Sequence, residues 1–284
     1  MGNCCSSKEK ARLETRNKMF EQMTIFQATS AVISKDKNAR QVKAAKGKKN
    51  IKKMTDASSA IRESYIATNK VLGEGTFGKV FLFKSRNLEP QKDFAVKVLL
   101  KSEMSERALT MIREEISVLS MLDHTNIIKY VESFEDHRYM YIVTEYVKNS
   151  HELSELLVKA QESWDQEKPL LPLDDVRKLM KMILSGVYHM HANNIVHRDL
   201  KPGNCLLDDK FQLNIIDFGL AIESKSSIES DGMLLGTPLY MAPEIFTSRG
   251  AIDSYKEPVD IWACGIIMYH LISNNFPFYD NDRH

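Results

Sequence analysis

A short polar stretch in the second half of the chain carries side chains that could do chemistry together. Asp199 is followed two and five residues later by Lys201 and Asn204, and Asp217 comes soon after them. A carboxylate can accept the proton of a hydroxyl group, while amide and carboxylate oxygens are ligands that Mg²⁺ accepts. The stretch therefore predicts a site that activates a hydroxyl group beside a divalent metal.

A glycine-rich segment nearer the N-terminus could hold phosphate groups. Gly73, Gly75 and Gly78 have the spacing G-x-G-x-x-G, and glycine lets backbone N–H groups approach phosphate oxygens without a Cβ in the way. Dinucleotide-binding turns share this spacing but lead into a helix, whereas the strand-like run Val80–Phe83 follows here. A dinucleotide-binding turn is therefore disfavoured. From this segment alone, an ordinary glycine-rich hairpin with no role in phosphate binding remains an alternative.

A lysine and a glutamate between these two segments could complete a phosphate site. Lys97 lies near the end of a strand-like run, where its amine can reach phosphate oxygens, and Glu115 lies on the helix predicted next. Each residue by itself is typical of an exposed surface position. Together they predict an ion pair that orients the lysine.

Short β-rich runs in the first half of the chain have to position these groups. The predicted strands are Val71–Leu72, Val80–Phe83, Phe94–Leu99, Ile127–Phe134 and Tyr139–Glu145. Glu106–Leu122 has helical spacing, and the apolar residues on one face are Ile112, Ile116, Leu119 and Leu122.

The second half is mostly helical. Predicted helices cover Asp174–His191 and Val259–Ser273, and a hairpin joins Leu206–Leu207 to Leu213–Ile216. Lys159–Pro172 is expected to be a long polar loop. The apolar stripe expected on the first of these helices is Val176, Leu179, Met180, Ile183, Leu184, Val187 and Met190.

These motifs, with Gly236-Thr237-Pro238 and Ala242-Pro243-Glu244, resemble the eukaryotic protein kinase family over Tyr65–Asp280. The runs Met121–Ile128 and Phe134–Asp136 are similar to calcium/calmodulin-type and calcium-dependent kinases. The resemblance implies an α+β, two-lobed fold, with a small antiparallel β lobe and one helix at 65–145 and a mostly helical lobe at 146–284. Kinases of this type continue through several more helices, so we expect a fold truncated at the C-terminus.

The resemblance also implies a catalytic role for single residues. Asp199 would accept the proton of a Ser or Thr hydroxyl in a protein substrate, and Lys201 would steady the γ-phosphate of ATP. Asn204 and Asp217 would hold Mg²⁺. Asp260 would brace the segment His197–Asn204, here called the catalytic segment, from the helix beneath it.

ATP is implied to lie between the lobes. Glu145 and Val147 would bond the adenine through backbone groups behind Thr144, and Lys97 would orient the α- and β-phosphates. The residues implied to contact or orient the nucleotide are Leu72, Gly73, Glu74, Gly75, Thr76, Phe77, Gly78, Lys79, Val80, Ala95, Lys97, Glu115, Glu145, Val147, Glu152 and Leu206.

Several positions depart from the family pattern. Met233 stands where a phosphorylated Thr or Ser is usual, and Gly203 replaces an acidic residue that reads substrate arginines in many relatives. One extra residue near 148–151 puts the ribose contact of Glu152 in doubt. A catalytically weak or inactive, lipid-anchored scaffold therefore stays open as an alternative to an active kinase.

The first 64 residues differ in charge from the rest of the chain. Residues 1–64 hold 15 Lys and Arg against 6 Asp and Glu, a net charge of +9, whereas the remainder carries −8. We expect this segment to be largely disordered. Its lysines could attract anionic lipid or form a solvated linker, and nothing in the sequence indicates a nucleic-acid partner.

The extreme N-terminus predicts lipid attachment. Gly2 with Ser6 fits the myristoylation pattern, and Cys4 and Cys5 could be palmitoylated, which would supply the second lipid that stable binding needs. No apolar run is long enough to span a bilayer, and the start lacks a secretory signal. The expected location is therefore the cytoplasmic face of a membrane.

Overall fold

The computed structural model describes residues 57–75, 78–162, 164–165, 168–223, 236–247 and 256–278. The predictions for Gly2, Cys4, Cys5 and Met233, and for Thr76 and Phe77 at the tip of the glycine-rich segment, lie outside these residues.

The first half of the described chain forms a five-stranded antiparallel sheet. Its strands are β1 (Tyr65–Gly75), β2 (Gly78–Ser85), β3 (Asp93–Leu100), β4 (Tyr130–Glu135) and β5 (Tyr139–Glu145), in the order β1-β2-β3-β5-β4. The phenylalanine and valine side chains of β3 alternate with Ala95, Lys97 and Leu99, because successive strand residues point to opposite faces. This alternation places Lys97 on the same face as Leu99, which packs against the following helix.

Helix α2 (Glu106–Met121) covers that inner face. Ser105 caps its N-terminus by accepting a hydrogen bond from the N–H of Ala108, and Glu106 in the first turn suits the positive end of the helix dipole. The predicted apolar face is confirmed, since Ile112, Ile116, Leu119 and Leu122 are all buried.

The folded region begins before the predicted boundary at residue 65. Helix α1 (Ala57–Ser64) buries Ile61 against the outer face of the sheet, beside Tyr65 and Phe134. Its C-terminal carbonyls are capped from the β2–β3 connection: Arg86 bonds the carbonyls of Arg62 and Ser64, and Asn87 bonds that of Glu63. The last eight residues of the segment expected to be largely disordered thus form a short helix, which one buried isoleucine and these caps hold in place.

The second half forms a helical lobe with small sheets at its upper edge. The helices are α3 (Leu153–Gln161), α4 (Leu173–Ala192), α5 (Pro243–Thr247) and α6 (Pro258–Ser273). The short strands are β6 (His151–Glu152), β7 (Ile195–Val196), β8 (Cys205–Leu207), β9 (Leu213–Ile215) and β10 (Ile222–Glu223), which pair as β6-β8-β9 and β10-β7. This arrangement confirms the α+β, two-lobed fold.

Some element predictions need correction. Leu184 is 43% exposed, because it lies about 100° around the helix from the buried Ile183. Strand β4 begins at Tyr130, since Ile127 instead bridges to Ile215 of β9. The polar loop begins after Gln161, three residues later than expected, because helix α3 continues to that residue.

Two cysteines lie in the core of the helical lobe. Cys205 and Cys264 are buried and unbridged, and burial raises the pKa of both thiols to about 12. Within the described residues, no helix is both long and apolar enough to cross a membrane.

Candidate active site

The carboxylate of Asp199 sits at the centre of a small hydrogen-bond network. Lys201 Nζ lies 2.7 Å from its Oδ2, and Thr237 Oγ1 donates to its Oδ1 at 2.7 Å. Asn204 Nδ2 donates to the Asp199 carbonyl at 2.7 Å and to Oδ2 at 3.1 Å. The carboxylate is only 12% exposed, and these donors fix its orientation.

Thr237 is a member of this network that the sequence analysis did not assign to the site. Its Oγ1 also accepts a bond from Lys201 Nζ at 2.8 Å, so the three side chains form a closed triangle. Gly236 positions it with φ of +118°, and a Cβ there would lie 2.8 Å from the carbonyl oxygen of Arg198. The run Gly-Thr-Pro just before Ala242 was the available signal.

Asp260 braces the catalytic segment, as the sequence predicted. It is 1% exposed on α6 and accepts bonds from the backbone N–H groups of His197 and Arg198 at 2.8 and 2.9 Å. His191 Nε2 lies 2.9 Å from the same carboxylate. Arg198 has φ of +67°, an uncommon conformation for a residue with a side chain, so Asp260 holds a strained backbone in place.

The predicted pairing of Lys97 with Glu115 is confirmed. Lys97 Nζ lies 2.8 and 3.1 Å from the two carboxylate oxygens of Glu115, which is buried on α2. Asp217 Oδ1 lies 4.0 Å from the same amine. Burial opposes the charged form of Lys97, but the two carboxylates outweigh it and hold the pKa of Lys97 above its ordinary value.

The backbone of Asp217 is held in place by its buried neighbour Phe218. Phe218 is fully buried and packs against the ring of His197 at 5.0 Å between centroids. Asp217 itself has φ of +62° and is 52% exposed. The backbone is thus anchored below while the carboxylate faces outward, near Lys97.

The glycine-rich segment is a hairpin between β1 and β2, as its strand context predicted. Glu74 Oε1 and Lys79 Nζ form an ion pair of 2.7 Å across its base, where the two residues are opposite each other. Gly78 pairs with Leu99 of β3, and a Cβ at Gly78 would overlap with the carbonyl oxygen of Val98. Gly78 is therefore required by packing, in addition to any approach to phosphate.

We expect Gly78→Ala to destabilise the β lobe by about 1–3 kcal/mol, because β3 would have to move away from the new methyl group. Gly73→Ala is the matched control, since nothing lies within 4 Å of the Cβ it would add. Urea unfolding of both variants measures the difference. Equal unfolding midpoints for the two variants would contradict the packing role.

The residues implied to surround the adenine come from both lobes. Val80 pairs with Lys97, and Ala95 pairs with Thr144, whose hydroxyl lies 3.4 Å from the Ala95 carbonyl. Leu206 lies on β8 in the lower lobe. Leu72, Val80, Ala95 and Leu206 are all half-buried, as expected for side chains that line a cleft.

The segment between the lobes limits which backbone groups can bond a base. The N–H of Glu145 donates to the Lys129 carbonyl at 2.9 Å, so of its two backbone groups only the carbonyl could bond a base. The Val147 carbonyl accepts from Ser150 Oγ at 2.8 Å, which favours its N–H as the base contact. One acceptor and one donor two residues apart match the edge of an adenine.

The extra residue after this segment is absorbed in a turn. Asn149 has φ of +53°, and its amide donates to Asp209 in the β8–β9 turn at 2.9 Å. Glu152 follows on β6, opposite Leu206, and accepts from Ser154 Oγ at 2.8 Å. A Cβ at Gly203 would lie 3.5 Å from the Glu152 carboxylate, so this side chain lies beside the catalytic segment.

The family model and the relatives that match this chain all belong to one protein family. A model of the protein kinase domain matches residues 66–284. Calcium-dependent protein kinase 4 of Plasmodium falciparum (isolate 3D7) is 37% identical over 214 residues, which cover 74% of this chain and 37% of that protein. CBL-interacting serine/threonine-protein kinase 19 of Arabidopsis thaliana is 36% identical over 240 residues, covering 82% and 46%.

A third relative agrees with these two. The SNF1-related protein kinase catalytic subunit alpha KIN12 of Arabidopsis thaliana is 38% identical over 218 residues, which cover 75% of this chain and 40% of that protein. The chain thus spans less than half the length of these three relatives.

Proposed function

Because the chain belongs to the eukaryotic serine/threonine protein kinase family, we propose that it transfers the γ-phosphate of ATP to Ser and Thr hydroxyls of protein substrates. The observation that carries the proposal is the network around Asp199. A half-buried carboxylate held by a lysine, a threonine and an asparagine is suited to accept a proton from an incoming hydroxyl.

The chain's own groups divide the work between nucleotide and acceptor. Lys97, fixed by Glu115, supplies a positive charge that orients ATP phosphates from the upper lobe. Lys201 supplies a second positive charge beside Asp199, where the phosphoryl group would be transferred. Since phosphoryl transfer depends mostly on positioning and charge neutralisation, these two fixed cations account for much of the proposed catalysis.

The donor set fits Mg²⁺. Asp217 offers a carboxylate, and Asn204 offers its amide oxygen because its amide nitrogen is engaged by Asp199. Within the described ranges no three His, Cys, Asp or Glu side chains converge on one point, so two oxygen ligands would act together with ATP phosphates. When bound, Mg²⁺ neutralises phosphate charge.

The test is transfer of labelled phosphate from ATP to a panel of Ser-, Thr- and Tyr-containing peptides by the full chain. We expect labelling of Ser or Thr peptides, and a rise in melting temperature with ATP–Mg²⁺, because ligand binding stabilises the native state. A folded protein that binds ATP but labels no peptide would instead support the scaffold alternative. A folded protein that shows no ATP binding would contradict the nucleotide site itself.

We further propose that lipids on Gly2 and on Cys4 or Cys5 attach the chain to the cytoplasmic face of a membrane. The support is the sequence pattern and the need for two lipid signals, since one myristoyl chain binds a bilayer only marginally. The proposal also gives the basic residues of 1–64 an anionic surface to contact.

We expect Gly2→Ala to move most of the protein from membranes to the soluble fraction, because in this proposal palmitoylation of Cys4 or Cys5 requires the myristoyl group on Gly2. Cys4→Ser with Cys5→Ser should leave weak, salt-sensitive attachment. Fractionation of cells that express each variant measures the distribution, and Cys205→Ser serves as a control because that thiol is buried. Gly2→Ala protein that stays with membranes would rule out the myristoyl anchor.

A further inference from the structure

The segment Gly236–Tyr240, here called the 236–240 loop, is attached to the site at one end. Thr237 bonds both Asp199 and Lys201, as described above. The following residues Pro238–Tyr240 form one turn of 3₁₀ helix, and the N–H of Tyr240 donates to the Thr237 carbonyl at 2.9 Å. The position of Thr237 is therefore coupled to that of Tyr240 through a single rigid turn.

The other end of the loop is held by aromatic rings at the C-terminal end of α6 and just after it. Tyr240 Oη lies 3.1 Å from His270 Nδ1. The ring of Phe276 contacts both partners, at 4.7 Å from the His270 ring and 5.4 Å edge-on from the Tyr240 ring. These two ring contacts and one hydrogen bond leave little freedom for Tyr240 to move.

The chemistry of His270 suits this bond. Burial lowers the pKa of His270, while the Asn274 side chain opposes that effect, so the imidazole is neutral near pH 7. A neutral imidazole with its proton on Nε2 accepts the Tyr240 hydroxyl at Nδ1. The loop is thus fixed by a directional bond as well as by ring packing.

We infer that His270 is a positioning residue for the reaction, acting through Tyr240 and Thr237 on the carboxylate of Asp199. The inference rests on the proposed kinase function. Among the described residues, no hydrogen bond or ring contact joins His270 to Asp199 or Lys201, so its effect would reach the acceptor side of the site through the 236–240 loop. The nucleotide site, built from Lys97 and the glycine-rich hairpin, is held by separate contacts.

The test compares His270→Ala and Tyr240→Phe with the wild-type chain. Each should lower kcat for a peptide substrate about three- to tenfold, the loss that one hydrogen bond can cause, while the Kd for ATP stays unchanged. The double variant should be little worse than His270→Ala, because both changes break the same link. His270→Asn should recover part of the rate, since its amide oxygen lies near the position of Nδ1.

Two controls separate positioning from general damage. His137→Ala and Tyr188→Phe change exposed residues away from the cleft and should leave kcat at the wild-type value. Circular dichroism must show that each variant is folded at the assay temperature. A wild-type rate for His270→Ala, or an equal rise in the Kd for ATP, would overturn the inference.

A readout independent of turnover keeps the inference separate from the proposed function. The amide resonance of Thr237 should shift in His270→Ala and return toward the wild-type position in His270→Asn. If the wild-type chain transfers no phosphate, the proposed function fails on that result alone. An unmoved Thr237 resonance would then still overturn the coupling, and a shifted one would support it.

Discussion

Asp199→Asn is expected to lower the rate of phosphate transfer by about 10²- to 10⁴-fold, the usual contribution of a general base. The amide can accept a bond from one neighbour, but it cannot take the proton of a substrate hydroxyl. Lys97, Glu115 and Asp217 are unchanged, so ATP should bind with nearly the wild-type Kd. Single-turnover transfer and calorimetric ATP binding measure the two effects separately.

Asp123→Asn is the matched control for this change. Asp123 carries the same side chain but is 83% exposed and pairs loosely with Lys129 at 3.5 Å. It should transfer phosphate at the wild-type rate. If Asp199→Asn keeps more than about a tenth of that rate, the carboxylate is not the base in the proposed reaction.

Asp260→Ala is expected to reduce the free energy of unfolding by about 3–5 kcal/mol, because three donors around a buried carboxylate would lose their shared acceptor. Two of those donors are backbone N–H groups of His197 and Arg198, and neither can rotate toward another partner. The strained φ of Arg198 would also lose its brace. Activity should fall with stability, since Asp199 is the next residue in the chain.

Urea unfolding of Asp260→Ala measures this loss, with two comparisons. Asp260→Asn keeps one acceptor oxygen and should lie between the wild type and the alanine variant. Asp174→Ala removes a surface pair with Arg177 on α4, which is worth at most about 1 kcal/mol. If Asp260→Ala costs no more than Asp174→Ala, the buried carboxylate is not what holds the catalytic segment.

Much of the candidate site could be predicted because the sequence places its parts on successive elements. The pairing of Lys97 with Glu115 followed from a strand and the next helix, and the brace by Asp260 followed from the family pattern. The roles implied for the individual site residues stay predictions. Thr237 was missed because its bonds to Asp199 and Lys201 join positions far apart in sequence, and no local periodicity reports such contacts.

In the fold, too, locally patterned elements could be predicted, whereas elements held by contacts far apart in sequence could not. Strongly periodic segments such as Glu106–Leu122 were predicted within one residue, since a buried face fixes their length. Helix α1 was missed because it lies in a polar stretch and buries one large apolar side chain, Ile61. Its stability comes from caps supplied by Arg86 and Asn87, which follow it by more than twenty residues.

Helix α1 has a consequence for local unfolding of the small lobe. With α1 on one side and α2 on the other, the central strands β3 and β5 are covered on both faces, and Val96, Leu99 and Val143 are fully buried. Amide groups in such a unit exchange with solvent only in large openings, whereas β1, at the edge, can fray in small ones. Lys97 therefore belongs to the slowest-exchanging part of the lobe. Local fraying of β1 would therefore leave Lys97 and its pair with Glu115 in place.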